Sequence, residues 1–238
     1  MTEREDYCAR GYIAPSPRFL AALLGPVRQV VRDLKMDCPW QDMLSGIHNA
    51  FGYHACSDRA WLFLDIAESA ELLDAVTEVL GPDIVLWDSE LYFDATNLVA
   101  SEAEFWPVEP LAGTIAVVSV EQESLLLIDI TRLADCRTEL PLPAGPVYVL
   151  RYMSARSHFN RNPLFAPNRR LAEARPLVNY AKRALWLVRG EDRGCNDFNA
   201  GFSVRVGQWT DADWLRPTPD QQGHDDGDFD VGRMRCLS

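Results

Sequence analysis

The stretch LLDAVTEVLGPDIVLWDSELYF (72–93) changes its period half-way along, and that change decides the fold class. Leu72, Leu73, Val76 and Leu80 recur at helical spacing, which predicts an amphipathic helix over Glu68 to Leu80. Gly81-Pro82 ends it: glycine takes the backbone out of the helix and proline cannot continue one. From Ile84 onward the residues are β-branched or aromatic, so 84–93 reads as a strand.

Outward from this junction the two sides differ in kind. Upstream, Phe19, Leu20, Leu23, Leu24, Val27, Val30, Val31 and Leu34 make a helical stripe over Pro17 to Lys35. Met43, Leu44, Ile47 and Phe51 suggest a second, short helix within 40–54. Downstream, strands are expected at Gly113–Val120, Ser124–Asp129, Val147–Tyr152, Ala184–Arg189 and Phe202–Val206. Turn-rich segments such as LPLPAGP (140–146) and RGEDRGCNDFNAG (189–201) separate them. Short strands behind a helical front end predict a mainly β fold with flanking helices (α+β), an antiparallel sandwich or barrel covered on one side. The expected organisation is one domain over 1–238: a helical front end at about 16–81, a β core at about 84–209 and a polar tail at about 216–238, either a mobile end or a surface strap.

Composition bounds the function. The 238 residues are 47% apolar and carry a formal charge of -12, so the chain can bury a core and does not present the basic surface that nucleic acid or anionic lipid attracts. Six scattered cysteines with no Cys-x-x-Cys pair argue against structural zinc and for reduced thiols in a cytoplasm. The start lacks a signal-peptide pattern, and no apolar run approaches the roughly 18 residues of a membrane span. Trp40, Trp61, Trp106 and Trp214 read first as ordinary core aromatics, and otherwise as pocket or interface residues.

The chemistry-bearing stretch is Tyr152 to Arg189, polar for a segment between strands. A neutral imidazole at His158 suits iron and an arginine fork at Arg169 suits a carboxylate, although a lone histidine near several arginines is more often a surface cluster. The Asn196–Asn199 segment is a turn or a pocket rim. HFNRNPLFAPNRR (158–170) resembles the phytanoyl-CoA dioxygenase family of Fe(II)/2-oxoglutarate-dependent oxygenases, where an arginine 11 positions after the second metal histidine grips 2-oxoglutarate. REDYCARGYIAPSPRFL (4–20), the 72–93 stretch and EFWPVEPLAGTIAVVSVE (104–121) resemble the same family in the same order. The resemblance implies a double-stranded β-helix (jelly-roll, cupin-like) core, with His158 and Arg169 facing a central pocket, His158 and Glu102 binding iron and acting in catalysis, and Arg169 binding 2-oxoglutarate. Arg169 would enter from the strand next to that of His158.

The chain differs from that family's pattern at two places, and a His-x-Asp elsewhere does not mend the first. Aligning on Phe105-Trp106-Pro107 sets Ala100-Ser101-Glu102 where a His-x-Asp pair would hold iron; Glu104 would serve in a slipped register. Asp94 stands about where a lysine assists 2-oxoglutarate, so an anion faces the site of an anion. His224-x-Asp226 lies only in the acidic tail. Three functions are therefore expected in order. The first is an Fe(II)/2-oxoglutarate-dependent dioxygenase oxidising a small molecule in specialised metabolism through an atypical metal site. The second is a metal-independent isomerase, cyclase or lyase with Glu102, Glu104, Asp94 and His158 as proton carriers. The third is a non-catalytic pseudoenzyme that binds a ligand or a partner subunit.

Overall fold

The run Ile84–Tyr92 is buried at every position, because both faces of the sheet it belongs to are covered. The computed structural model describes residues 3–15, 20–49, 60–95, 102–174, 179–200, 202–203 and 208–209. In chain order these form α1 (Glu3–Arg10), β1 (Tyr12–Ile13), α2 (Leu20–Asp37), β2 (Met43–Ser45), α3 (Ala60–Ala67), α4 (Ala70–Leu80) and β3 (Ile84–Tyr92). A 3₁₀ turn at Glu102–Phe105 leads to β4 (Val108–Glu109), β5 (Gly113–Ser119), β6 (Leu125–Asp129), α5 (Leu133–Cys136), β7 (Val147–Ser154), β8 (His158–Phe159) and α6 (Ala166–Ala174). A second 3₁₀ turn at Tyr180–Lys182 precedes β9 (Trp186–Arg189), and β10 (Phe202–Ser203) pairs with β11 (Gln208–Trp209).

The main sheet is antiparallel, in the order β1-β6-β5-β7-β3-β2, with β9 beside β2 on the same edge of β3. A small sheet, β4-β8, lies apart from it. The architecture is mainly β with flanking helices, a large antiparallel sheet facing a small one in the jelly-roll manner. The period of two along each strand sorts its side chains. Ile84, Leu86, Ala116, Val118, Leu125, Leu127, Tyr148, Leu150 and Tyr152 pack with Leu24, Val27 and Val31 of α2, Phe63 and Ile66 of α3, and Leu72 and Val76 of α4. Val85, Trp87, Ile115, Val117, Leu126, Ile128, Val149 and Met153 face the other way, against Trp106, Val108, Phe159, Leu171, Tyr180 and Leu185. This second layer is the barrel interior.

Two phenols on one face of β7 hold the helices to the sheet. Tyr148 donates to the Phe63 carbonyl (3.2 Å) within α3, and Tyr152 donates to the carbonyl of Ala67 (2.8 Å), the last residue of α3, where carbonyls have no helical partner. Burial pushes both phenols' pKa values up.

The helices expected at 17–35 and 68–80 appear as α2 and α4, with Ser69 opening α4 and Gly81 closing it. One expectation is overturned: the described part of 40–54 is not a helix, and Met43–Ser45 is a strand paired with Tyr92, Leu91 and Glu90. The open edge of β3 supplies hydrogen bonds that a short apolar run takes up as readily as a helical turn. The expected tail at 216–238 and Trp214 lie outside the described residues.

Gly113 sits where β5 passes under Trp106. A Cβ there would collide with the indole ring and stand 2.7 Å from the Tyr152 carbonyl oxygen. Gly113→Ala is expected to lower the unfolding free energy by about 1–3 kcal/mol through overpacking. The check is urea denaturation, where an unchanged midpoint would contradict the packing described.

Candidate functional site

His158 lies on β8, where the register pairs it with Glu109 and pairs Phe159 with Val108. Adjacent side chains on a strand point to opposite faces. Phe159 takes the interior, at 1% exposure, and His158 is exposed on the outside. The loop 192–197 fixes this choice. Asn196 accepts from the Phe159 N–H (2.7 Å) and donates to the Ser157 carbonyl (3.0 Å), while Asp192 holds Asn196 Nδ2 at 2.6 Å. His158 Nδ1 donates to the Gly194 carbonyl at 3.0 Å, since a carbonyl can only accept. Gly194 is required for this approach, because a Cβ would strike the Ser157 carbonyl oxygen. Asn196 is thus a turn residue that laces the strand of His158 to the late loop.

Glu102 begins the 3₁₀ turn that leads into β4. Ala100 and Ser101 lie outside the described residues. Arg169 is exposed and stands on α6, a helix and not the adjoining strand that was expected. Asparagines make that helix. Asn162 accepts from the Leu164 N–H (2.9 Å), and Asn168 Nδ2 donates to the Asn160 and Asn162 carbonyls (2.7 and 2.9 Å). Pro167 sits in the first turn, where no helical N–H is lost. α6 packs on the 3₁₀ turn, with Arg170 and Glu104 3.2 Å apart. The fold therefore brings the elements of Glu102, His158 and Arg169 near one another, with His158 exposed on the face of β8 opposite Phe159 and Arg169 exposed on α6. The picture of His158 and Arg169 facing a central pocket is corrected on this ground. Asp94 is also exposed.

Of the residues that fill the interior, only Trp106 stood out in the sequence. Trp87 packs edge-on against Trp106 (5.2 Å, 77°) and tilted against Phe159 (5.6 Å, 47°), and all three are about 1% exposed. Beside them lies a charged network. The register of β3 against β7 slips between Leu86 and Asp88, so that Trp87 is an extra residue and Asp88 stands directly opposite Arg151. This bulge turns Asp88 inward next to Trp87. Arg151 reaches Asp88 at 3.3 Å and Glu90 at 2.7 Å. Arg183, just before β9, reaches Asp88 at 2.9 Å and donates to Ser45 Oγ at 2.8 Å. Tyr92 donates to Glu90 at 2.7 Å. Asp88, Glu90, Arg151 and Arg183 are each at most 3% exposed, so the two guanidiniums and two carboxylates neutralise one another out of water.

Iron with 2-oxoglutarate needs a histidine and carboxylate converging from inside, an open position and a free arginine fork. Among the described residues the interior does not offer that set. The only inward residue of β8 is Phe159, and the interior arginines carry the chain's own carboxylates. Among the described residues no cluster of three or more His, Cys, Asp or Glu could hold a metal.

No protein-family model matches this chain, and no curated protein matches it in sequence. Its likeness is to solved structures. The non-heme monooxygenase ThoJ in its nickel complex is 13% identical, with a TM-score of 0.47 over 82% of this chain and 87% of that one. CytC3 with Fe(II) and alpha-ketoglutarate is 14% identical, with a TM-score of 0.47 over 88% and 96%. The epimerase SnoN, in complex with Fe3+, alpha ketoglutarate and nogalamycin RO, is 10% identical, with a TM-score of 0.46 over 66% and 84%. At this level of likeness no activity, metal or residue role passes to this chain. Among the described residues no helix is long and apolar enough to cross a membrane.

Removing one partner of a buried pair leaves a charge uncompensated, so Arg151→Leu is expected to cost about 3–5 kcal/mol of stability. Arg169→Ala, at an exposed helix position, should stay within about 0.5 kcal/mol. Chemical denaturation of the two variants side by side checks this; equal losses would contradict the placement of either arginine.

Proposed function

We propose that this protein is a non-catalytic, oxygenase-shaped protein that binds a ligand or partner at its surface and runs no oxidation through its interior. The observation that carries this reading is the filled interior: Trp87, Trp106, Phe159 and the network of Asp88, Glu90, Arg151 and Arg183 occupy the layer between the two sheets. A small-molecule substrate of the usual size needs a cleft lined mostly by apolar groups with a few polar ones aimed into it. Here the convergent polar groups are aimed at each other. Trp40 and Trp61, at 59% and 49% exposure, are wet for residues that normally bury a large apolar surface, which favours a contact made at the helical front end.

A second reading keeps the oxygenase, with iron at Glu102 and His158, 2-oxoglutarate at Arg169 and a small molecule from specialised metabolism as substrate. The adjacency of the 3₁₀ turn, β8 and α6 favours it. The metal-independent isomerase, cyclase or lyase would draw on Glu104, Asp94 and His158, all exposed, and so would have to work in water rather than in a closed pocket.

Anaerobic titration of the full chain with Fe(II) and 2-oxoglutarate, followed by a succinate assay in air, separates these readings. The expected result is no stoichiometric uptake of either and no succinate above background. One equivalent of iron, with succinate formation lost in His158→Ala, would replace this reading with the oxygenase.

A further inference from the structure

We infer that the interior of this fold is a carboxylate-binding site occupied by the chain's own Asp88 and Glu90. A buried guanidinium needs acceptors for its N–H groups and a counter-charge, and a carboxylate supplies both. Arg183 and Arg151 share Asp88, at 2.9 and 3.3 Å, and Arg151 also takes Glu90 at 2.7 Å. Arg183 approaches from the chain segment before β9, Arg151 from β7, and both acids come from β3. Two carboxylates on one side of a strand are thus held by two arginines from different segments. Tyr92 and Ser45 add neutral hydrogen bonds, to Glu90 and from Arg183. Asp88 is the pivot, because both arginines lean on it, and the β3 bulge is what delivers it. The chemistry follows directly. In the wild-type interior both arginines are engaged, whereas removing the Asp88 carboxyl takes away an anion that both contact and leaves a gap of about the size of formate beside the Arg183 fork.

The inference deepens the non-catalytic reading, and its test fails separately from that reading. The Asp88→Ala full-length protein is melted in sodium chloride and in sodium formate at equal ionic strength. The variant is expected to melt well below wild type in chloride and to regain melting temperature saturably in formate, while wild type gives the same value in both salts. A three-atom ligand half-saturates no tighter than about 1 mM even at the ceiling of binding efficiency. Adding Arg183→Met to Asp88→Ala should abolish the formate response, which ties the rescue to that fork. If Asp88→Ala does not accumulate as folded protein, it is unfolded in urea and refolded by dilution into either salt. Recovery of native circular dichroism in formate alone supports the inference. Equal behaviour in the two salts, by either route, overturns it. Iron and 2-oxoglutarate uptake by the wild type would sink the non-catalytic reading and leave formate rescue of the variant untouched.

Discussion

The contact on which the interior depends is the pairing of Asp88 with Arg151 across β3 and β7. It is a direct cross-strand pair of opposite charges, held at 3.3 Å in a layer from which water is excluded. In such a layer an unpaired charge costs several kcal/mol, so the pair constrains everything near it. β3 must bulge at Trp87 to aim Asp88 inward, Arg183 must be brought in from before β9, and Glu90 Oε2 takes both Arg151 and Tyr92. Among the described residues the layer between the sheets is committed to one arrangement of charges and aromatic rings.

That commitment explains the position of the exposed groups. β8 has two residues and can present one to each side. With Phe159 packed on Trp87 inside and its N–H held by Asn196, His158 is left outside, anchored to Gly194. Arg161 fixes the same region from beneath. Its guanidinium donates to the carbonyls of Ala181, Arg183 and Asp197, each at 2.8 Å, which joins the approach to β9, and with it Arg183, to the late loop. Burial lowers the pKa of Arg161, a cost that three carbonyl contacts offset.

The sheet was legible because its strands are rich in β-branched and aromatic residues, as in GTIAVVS and LLLID, and α4 because Leu72, Leu73 and Val76 keep helical spacing. β2 was not, since Met43 to Ile47 carry a spacing that serves a helix as well as a strand, and only the edge of β3 decides between them. α6 was hidden for a local reason: asparagines that suggest a polar loop are here the residues that start a helix. The interior network did leave a trace. Asp88 and Glu90 sit within IVLWDSELY and Arg151 within VYVLRYM, acids and a base embedded in two runs apolar enough to be buried on both faces. Complementary charges on two such strands, read together, point to each other. The roles expected for His158 and Arg169 came from a spacing of 11, and spacing along the chain does not say which side of a strand a residue takes.

The most direct test is an experimental crystal structure of the full chain grown anaerobically with Fe(II) and 2-oxoglutarate. The account predicts Arg151 on Asp88 and Glu90, Arg183 on Asp88, and Phe159 between the sheets, with neither additive in the interior. Density for 2-oxoglutarate on either interior guanidinium, with Asp88 or Glu90 swung away, would contradict it.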